Sequence, residues 1–133
     1  MSQQFHGRKS NVMIKVPKSV QNAASKSFSM RQMGFKGGNE TGWKRAKQLS
    51  TKDAISIKDL RYIRNWYARH IHTSYPSYKE WKQSNRPKED SYFHNKRGIL
   101  AWQLWGGDAG LTWVNNNTRK LNNHYNVFYE KIK

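Results

Sequence analysis

The glycine-rich stretch from Gly106 to Gly110, GGDAG, has residue types that could form a phosphate-binding loop. Glycines allow a backbone to approach a ligand closely, and the N-terminus of a following helix favours anions. However, the spacing matches neither GxxxxGK[ST] nor GxGxxG, and Asp108 would repel a phosphate. We therefore predict a tight corner between two helices, in which Gly106 adopts a left-handed conformation and Asp108 is the N-cap of the second helix, with Gly107 between them.

Histidines and carboxylates offer no clear catalytic or metal-binding pattern. His70 and His72 are two residues apart and His94 is distant, so a metal site would need a third ligand supplied by the fold. The chain has no cysteine, which excludes disulfides, thiolate metal sites and a cysteine nucleophile. Its 8 carboxylates form no DxD, ExxH or HExxH spacing. We expect a non-enzymatic protein without a metal or a cofactor.

Basic residues are the strongest functional signal, because 25 Lys and Arg against 8 Asp and Glu give a formal charge of +17. Four basic residues of one predicted helix have no carboxylate three or four positions away, so their charge is not neutralised locally. They form either a solvated helix face or a contact with nucleic acid phosphates or an acidic protein surface. The candidate contact residues are these four and four others nearer the N-terminus: Lys58, Arg61, Arg64, Arg69, Arg8, Lys9, Lys15 and Lys18.

Two helices are predicted from caps and apolar spacing before residue 72. Thr41 can cap a helix over residues 42–49, and Ser56-Ile57-Lys58-Asp59 has the form of a capping box for a helix over residues 57–71. At 100° per residue, one apolar stripe of the second helix is predicted to be buried. The stripe consists of Ile57, Leu60, Ile63, Tyr67 and Ile71.

The tryptophan-rich stretch from residue 97 to residue 114 surrounds the glycine corner. A short helix over residues 96–105 is apolar on nearly all sides, which predicts a central position in the core. Each tryptophan can bury ~150–250 Å², so three of them could hold a small domain together. The predicted core residues are Trp43, Leu60, Ile63, Tyr67, Trp102, Trp105 and Trp113.

The chain is predicted to be mainly α, with one small domain of about four short helices between two extensions. Residues 1–40 carry seven basic residues and no acidic one before Glu40, and are expected to form an extended arm that is separable from the core. Within that arm, residues 12–16 could add a strand to a neighbour's sheet, or the arm is disordered in isolation. Residues 41–115 are the expected core, with a long surface loop at 72–95. Residues 116–133 are an asparagine-rich tail or short helix. No apolar run approaches the ~18 residues of a membrane span.

Three blocks, GWKRAKQLS (42–50), YARH (67–70) and AWQLWGGDAGLTWV (101–114), occur in this order. Together they resemble an uncharacterised small helical domain of tailed phages and large double-stranded DNA viruses. The resemblance implies a viral context, and the basic arm and asparagine-rich tail resemble the arms of small virion proteins. Together they favour a minor capsid protein of a large icosahedral virus such as those of algae, made in the host cytoplasm and located in the virion. Its arms would bridge major and other minor capsid proteins on the inner side of the shell, where it could be a homo-oligomer. The alternative is a basic module that binds viral DNA through nonspecific phosphate contacts.

Overall fold

Seven α-helices and one pair of three-residue strands make up residues 12–133, the part of the chain that the computed structural model describes. In chain order they are β1 (Met13–Lys15), α1 (Lys18–Gln32), α2 (Glu40–Thr51), β2 (Ala54–Ser56), α3 (Ile57–His70), α4 (Ser74–Gln83), a 3-10 turn (Ser91–Phe93), α5 (Arg97–Leu104), α6 (Gly107–Asn116) and α7 (Thr118–Tyr125). The mainly α fold class is confirmed, with seven helices in this range rather than about four. None of the helices of residues 12–133 has the length and apolar character to cross a membrane.

Residues 12–40 are not an extended arm, so this prediction was wrong. β1 pairs antiparallel with β2, with Ile14 opposite Ile55, and α1 packs against α2, α5 and α6. The buried stripe of α1 recurs every three or four residues, but two of its members are Ala24 and Ser27. The Ser27 hydroxyl donates to the Ala24 carbonyl oxygen at 2.6 Å, which satisfies it within the helix. Small residues let α1 approach its neighbours closely, yet they leave little hydrophobic signal in the sequence.

The helices α2 and α3 follow the sequence prediction closely. The N-cap of α2 is Asn39 rather than Thr41, because the Asn39 side chain accepts from the Gly42 backbone N–H at 2.8 Å. The Ser56 hydroxyl accepts from the Asp59 backbone N–H at 3.1 Å, which confirms the predicted start of α3. All five residues of the predicted apolar stripe of α3 are buried.

Residues 72–95 are not a surface loop, so this prediction was wrong as well. Within this range α4 buries Tyr78 and Trp81, and the 3-10 turn buries Phe93. Pro76 lies in the first turn of α4, where a missing backbone N–H costs no intrahelical hydrogen bond. After α4 the chain folds back, because the Trp81 indole N–H donates to the Lys88 carbonyl oxygen at 2.9 Å.

The glycine corner joins α5 to α6, and Gly106 has the predicted left-handed φ of 118°. Asp108 is not the N-cap, which corrects the prediction: it lies in the first turn of α6 and accepts from the Trp102 indole N–H at 3.0 Å. A side chain at Gly110 would overlap the Tyr67 hydroxyl, which lies 2.6 Å from the Gly107 carbonyl oxygen. The corner therefore admits a buried tyrosine from α3, and its glycines have a structural role.

The core is centred on Trp102, which is fully buried against aromatic rings from α3 and α4. The other predicted core residues are buried too, except Trp43. Trp43 is only partly buried and packs against the core from its edge. There its ring lies 5.4 Å from the Phe28 ring and 4.6 Å from the Arg31 guanidinium. Trp43 therefore lies at the edge of the core and not within it as predicted, because the inner face of α2 is formed by Gly42, Ala46 and Leu49.

Candidate nucleic-acid interface

Three open grooves follow one another along α7. The first, of about 480 Å³, is lined by β1, the start of α1 and the end of α6. It shares Asn116, Asn117 and Lys120 with a second groove of about 680 Å³. The second shares Arg119 and Asn123 with a third groove of about 480 Å³. Because neighbouring grooves share residues, they form one continuous concave surface, which we call the α7 face.

The α7 face has one sign of charge. Among the residues that the structure describes, those that line its three grooves include no Asp or Glu. Its five lysine and arginine side chains are exposed, and none is in an ion pair with a described residue. They are Lys15, Lys18, Arg119, Lys120 and Lys131. Such a surface attracts anions, since none of its described lining residues has a carboxylate to offset the cations, although the exposed Glu130 precedes Lys131 in the chain.

Asparagine side chains supply hydrogen-bonding groups along the same surface. Six of the twelve residues from Asn115 to Asn126 are asparagine. Asn116 and Asn123 line the grooves, and their side-chain amides have no hydrogen-bond partner among residues 12–133. An amide NH₂ donates to phosphate or sugar oxygens, and the amide oxygen accepts from a base. The α7 face therefore combines cations with neutral donors and acceptors.

A smaller hollow of about 270 Å³ lies between α3 and the end of α7. Two predicted contact residues, Lys58 and Arg61, line it together with Tyr62, Asn65 and Tyr125. Lys58 and Tyr62 are exposed, whereas the Arg61 guanidinium lies 4.2 Å from the Tyr125 ring centre. Arg61 also donates from Nε to the Tyr129 hydroxyl at 2.9 Å. The hollow shares no lining residue with the three grooves of the α7 face, and Arg61 is already engaged within the chain.

The structure separates the predicted contact residues into different environments. Lys15 and Lys18 lie on the α7 face, and Arg8 and Lys9 fall outside the described residues. The Arg64 guanidinium lies 3.9 Å from the Tyr129 ring centre, and burial lowers the pKa of this side chain. Arg69 is exposed near the C-terminal end of α3, so the four cations of this helix do not form one contact surface.

Three basic residues of the α7 face were missing from the prediction. They are Arg119, Lys120 and Lys131, which lie in the segment that was predicted to be a tail or short helix. A signal was present, because Asn115 to Tyr129 contains basic residues and no Asp or Glu. The structure brings this segment next to β1 and the start of α1, about one hundred positions earlier in the chain.

The histidines and buried tyrosines have structural contacts. The His70 Nδ1 lies 3.0 Å from the Thr73 hydroxyl, and His94 Nε2 lies 3.1 Å from the Glu89 carbonyl oxygen. Within residues 12–133, no three histidines or carboxylates are grouped as a metal site would require. Burial raises the pKa of Tyr67 and of Tyr78, with smaller contributions from Asp108. Both tyrosines therefore stay protonated at neutral pH.

No protein-family model, curated protein or solved structure matches this chain. The resemblance to the viral domain consequently rests on its three sequence blocks. These blocks lie in α2, at the end of α3 and across the corner between α5 and α6, so they belong mainly to the core. The α7 face is formed largely by residues 12–18 and 116–131, which lie outside the resembling segment.

Proposed function

We propose that this protein binds nucleic acid through the α7 face. The observation that carries the proposal is a continuous surface with five exposed lysines and arginines and no carboxylate among its described lining residues. Lysine and arginine side chains that neutralise backbone phosphates release counterions, and this release supplies much of the affinity of such complexes. The overall charge of +17 is consistent with the same class of partner.

The distribution of ion pairs supports binding at the α7 face rather than a nonspecific response to the positive charge of the whole chain. The four ion pairs among the described residues join side chains between residues 40 and 96. Examples are Arg45 with Asp59 at 3.4 Å and Lys96 with Glu80 at 3.4 Å. Opposite charges are therefore paired from α2 to the residue before α5, whereas no lysine or arginine of β1 or α7 is in an ion pair with a described residue.

A double substitution on α7 tests the proposal. We expect R119Q together with K120Q to weaken binding to duplex DNA, measured by fluorescence anisotropy over a salt series. The plot of log K against log salt has a negative slope. Each lost phosphate contact should make this slope less steep by about 0.9, so loss of both contacts makes it less steep by nearly 2. Both side chains are exposed, so thermal stability should change by no more than about 0.5 kcal/mol.

The matched control is K47Q together with K79Q, which also removes two positive charges, but from α2 and α4. Both lysines are exposed and neither is in an ion pair with a described residue. We expect the control to retain most of the wild-type affinity and salt slope. If the two double variants lose binding equally, the interaction is a response to net charge, and the α7 face is not the binding site.

The resemblance adds a proposed location, the virion. The expected role in bridging capsid subunits relied on an arm that buries Val12, Ile14 and Val16 against neighbours. In the structure Ile14 and Val16 are buried within the chain itself, and Ile14 lies opposite Ile55 in its own sheet. This contact is therefore not free for a capsid neighbour, and binding to viral DNA becomes the better-supported of the two roles.

Mass spectrometry of purified virions, combined with removal of the shell and a salt-wash series, tests this assignment. We expect the protein to remain with the viral DNA after the shell is removed and to be released as the salt concentration rises. Retention in shell fragments that have been depleted of DNA would instead favour a minor capsid protein. Absence from virions would refute the proposed location.

A further inference from the structure

The backbone after α7 is held in place by two asparagine side chains. The Asn122 amide accepts from the Tyr129 backbone N–H at 2.8 Å and donates to the Tyr129 carbonyl oxygen at 3.0 Å. The Asn115 amide does the same for Ile132, at 2.8 and 2.9 Å. Each amide thus takes the place of a neighbouring strand and pairs both backbone groups of one residue. Residues 129–132 are therefore fixed against α6 and α7.

The side chain of Tyr129 adds a third attachment to this segment. Its hydroxyl accepts from Arg61 Nε, and its ring packs against the Arg64 guanidinium. On the other side, the Val127 backbone N–H donates to the Asn122 carbonyl oxygen at 3.2 Å, directly after the left-handed residue Asn126. Phe128 lies between these two anchored positions, so its backbone has little freedom.

The anchored Phe128 side chain is 93% exposed. The neighbouring Tyr129 side chain is directed toward Arg61 and Arg64 of α3. The Phe128 ring contributes almost nothing to the core, although exposing a large aromatic ring to water is unfavourable. It lines the third groove of the α7 face, together with Arg119, Asn123 and Lys131. An aromatic ring is thus presented beside cations, with no carboxylate among the described residues of that groove.

We propose that Phe128 is a stacking platform for an unpaired base, so that the α7 face prefers single-stranded over duplex nucleic acid. This inference rests on the proposed function. An unpaired base can place its face on an aromatic ring while adjacent phosphates bind lysine and arginine. In a duplex, the faces of the bases are covered by their neighbours. A polar, basic groove also suits a nucleic acid strand better than an apolar protein segment.

The experiment compares binding of wild type and F128A to oligothymidylate, to oligouridylate and to a DNA duplex of the same length. We expect wild type to bind the single strands more tightly than the duplex. The F128A substitution should reduce affinity for the single strands about tenfold and leave duplex affinity unchanged. The two single strands show whether the preference extends to both DNA and RNA. Thermal melting should be unchanged, because the ring is exposed.

Two further variants make the result specific. F128W retains a stacking surface and should restore single-strand affinity to at least the wild-type value. M33A removes an apolar side chain that is 45% exposed at the end of α1, and should bind every ligand as wild type does. Equal binding of single strands and duplex, unaffected by F128A, overturns the stacking inference while the proposed function stands. If wild type binds none of the three nucleic acids, both proposals fail.

Discussion

Replacing Trp102 by alanine is expected to lower the free energy of unfolding by ~3–5 kcal/mol. The Trp102 side chain is fully buried, and its ring lies 4.8 Å from Tyr67, 5.0 Å from Tyr75 and 5.8 Å from Trp66. Removing it leaves a cavity where α3, α4 and α5 meet. Small domains are stable by only about 5–15 kcal/mol, so W102A should unfold at a markedly lower urea concentration than wild type. Urea titration followed by circular dichroism measures this loss.

Two comparison variants separate the packing of Trp102 from its hydrogen bond. D108A removes the acceptor of the indole N–H but keeps the ring, and should cost about 1 kcal/mol. Y92A removes an exposed aromatic side chain and should cost little. If W102A unfolds at the wild-type urea concentration, Trp102 is not the centre of the core. If D108A loses nucleic acid binding without loss of stability, the glycine corner is a functional site.

The parts of the fold that were predictable are those encoded by nearby residues. The start of α3 follows from a Ser56 hydroxyl that reaches a backbone N–H three residues later, and its buried face follows from regular apolar spacing. The glycine corner was predictable for the same reason, because a glycine such as Gly106, with its left-handed φ, commonly follows the end of a helix. In these cases, a few consecutive residues contain the physical cause of the structure.

The helices α1 and α4 were missed because their signals are weak or depend on distant residues. The inner face of α1 includes Ala24 and Ser27, whose burial follows from close helix packing rather than from large apolar side chains. Two prolines between residues 72 and 95, Pro76 in α4 and Pro87 after it, favoured a loop. Pro76 is nevertheless compatible with the first turn, and the burial of Trp81 makes the helix favourable. Tertiary packing therefore determines the helical structure of both segments.

The basic surface was only partly predictable for a similar reason. Arg61 and Arg64 have no nearby carboxylate in the sequence, which suggested free charges. Their actual partner is Tyr129, 68 positions after Arg61, and cation–π contacts leave no signature in helical spacing. Conversely, Lys15 and Lys120 are far apart in the chain, and only the fold brings them to the same groove. Charge composition favours an anionic partner, but it does not locate a binding surface.

The corrected position of α1 leads to a second large expected effect, the loss of folding when residues 1–40 are removed. This truncation deletes β1 and α1, and with them buried side chains such as Val20, Ala24 and Met30. It would expose the faces of α2, α5 and α6 that α1 covers. We expect the truncated chain to lose cooperative thermal unfolding and to bind a dye for exposed apolar surface.

Point substitutions within α1 make the same test without shortening the chain. V20D places a charge at a fully buried position and should destabilise the fold by at least ~3 kcal/mol, because removing a carboxylate from water is costly. N22D adds the same charge on the exposed side of α1, two residues later, and should change stability by no more than about 0.5 kcal/mol. Equal melting temperatures for V20D and N22D, or a cooperatively folded truncation, would mean that α1 is separable from the core. In that case the first forty residues could serve as an arm after all, and the bridging of capsid subunits would regain its structural basis.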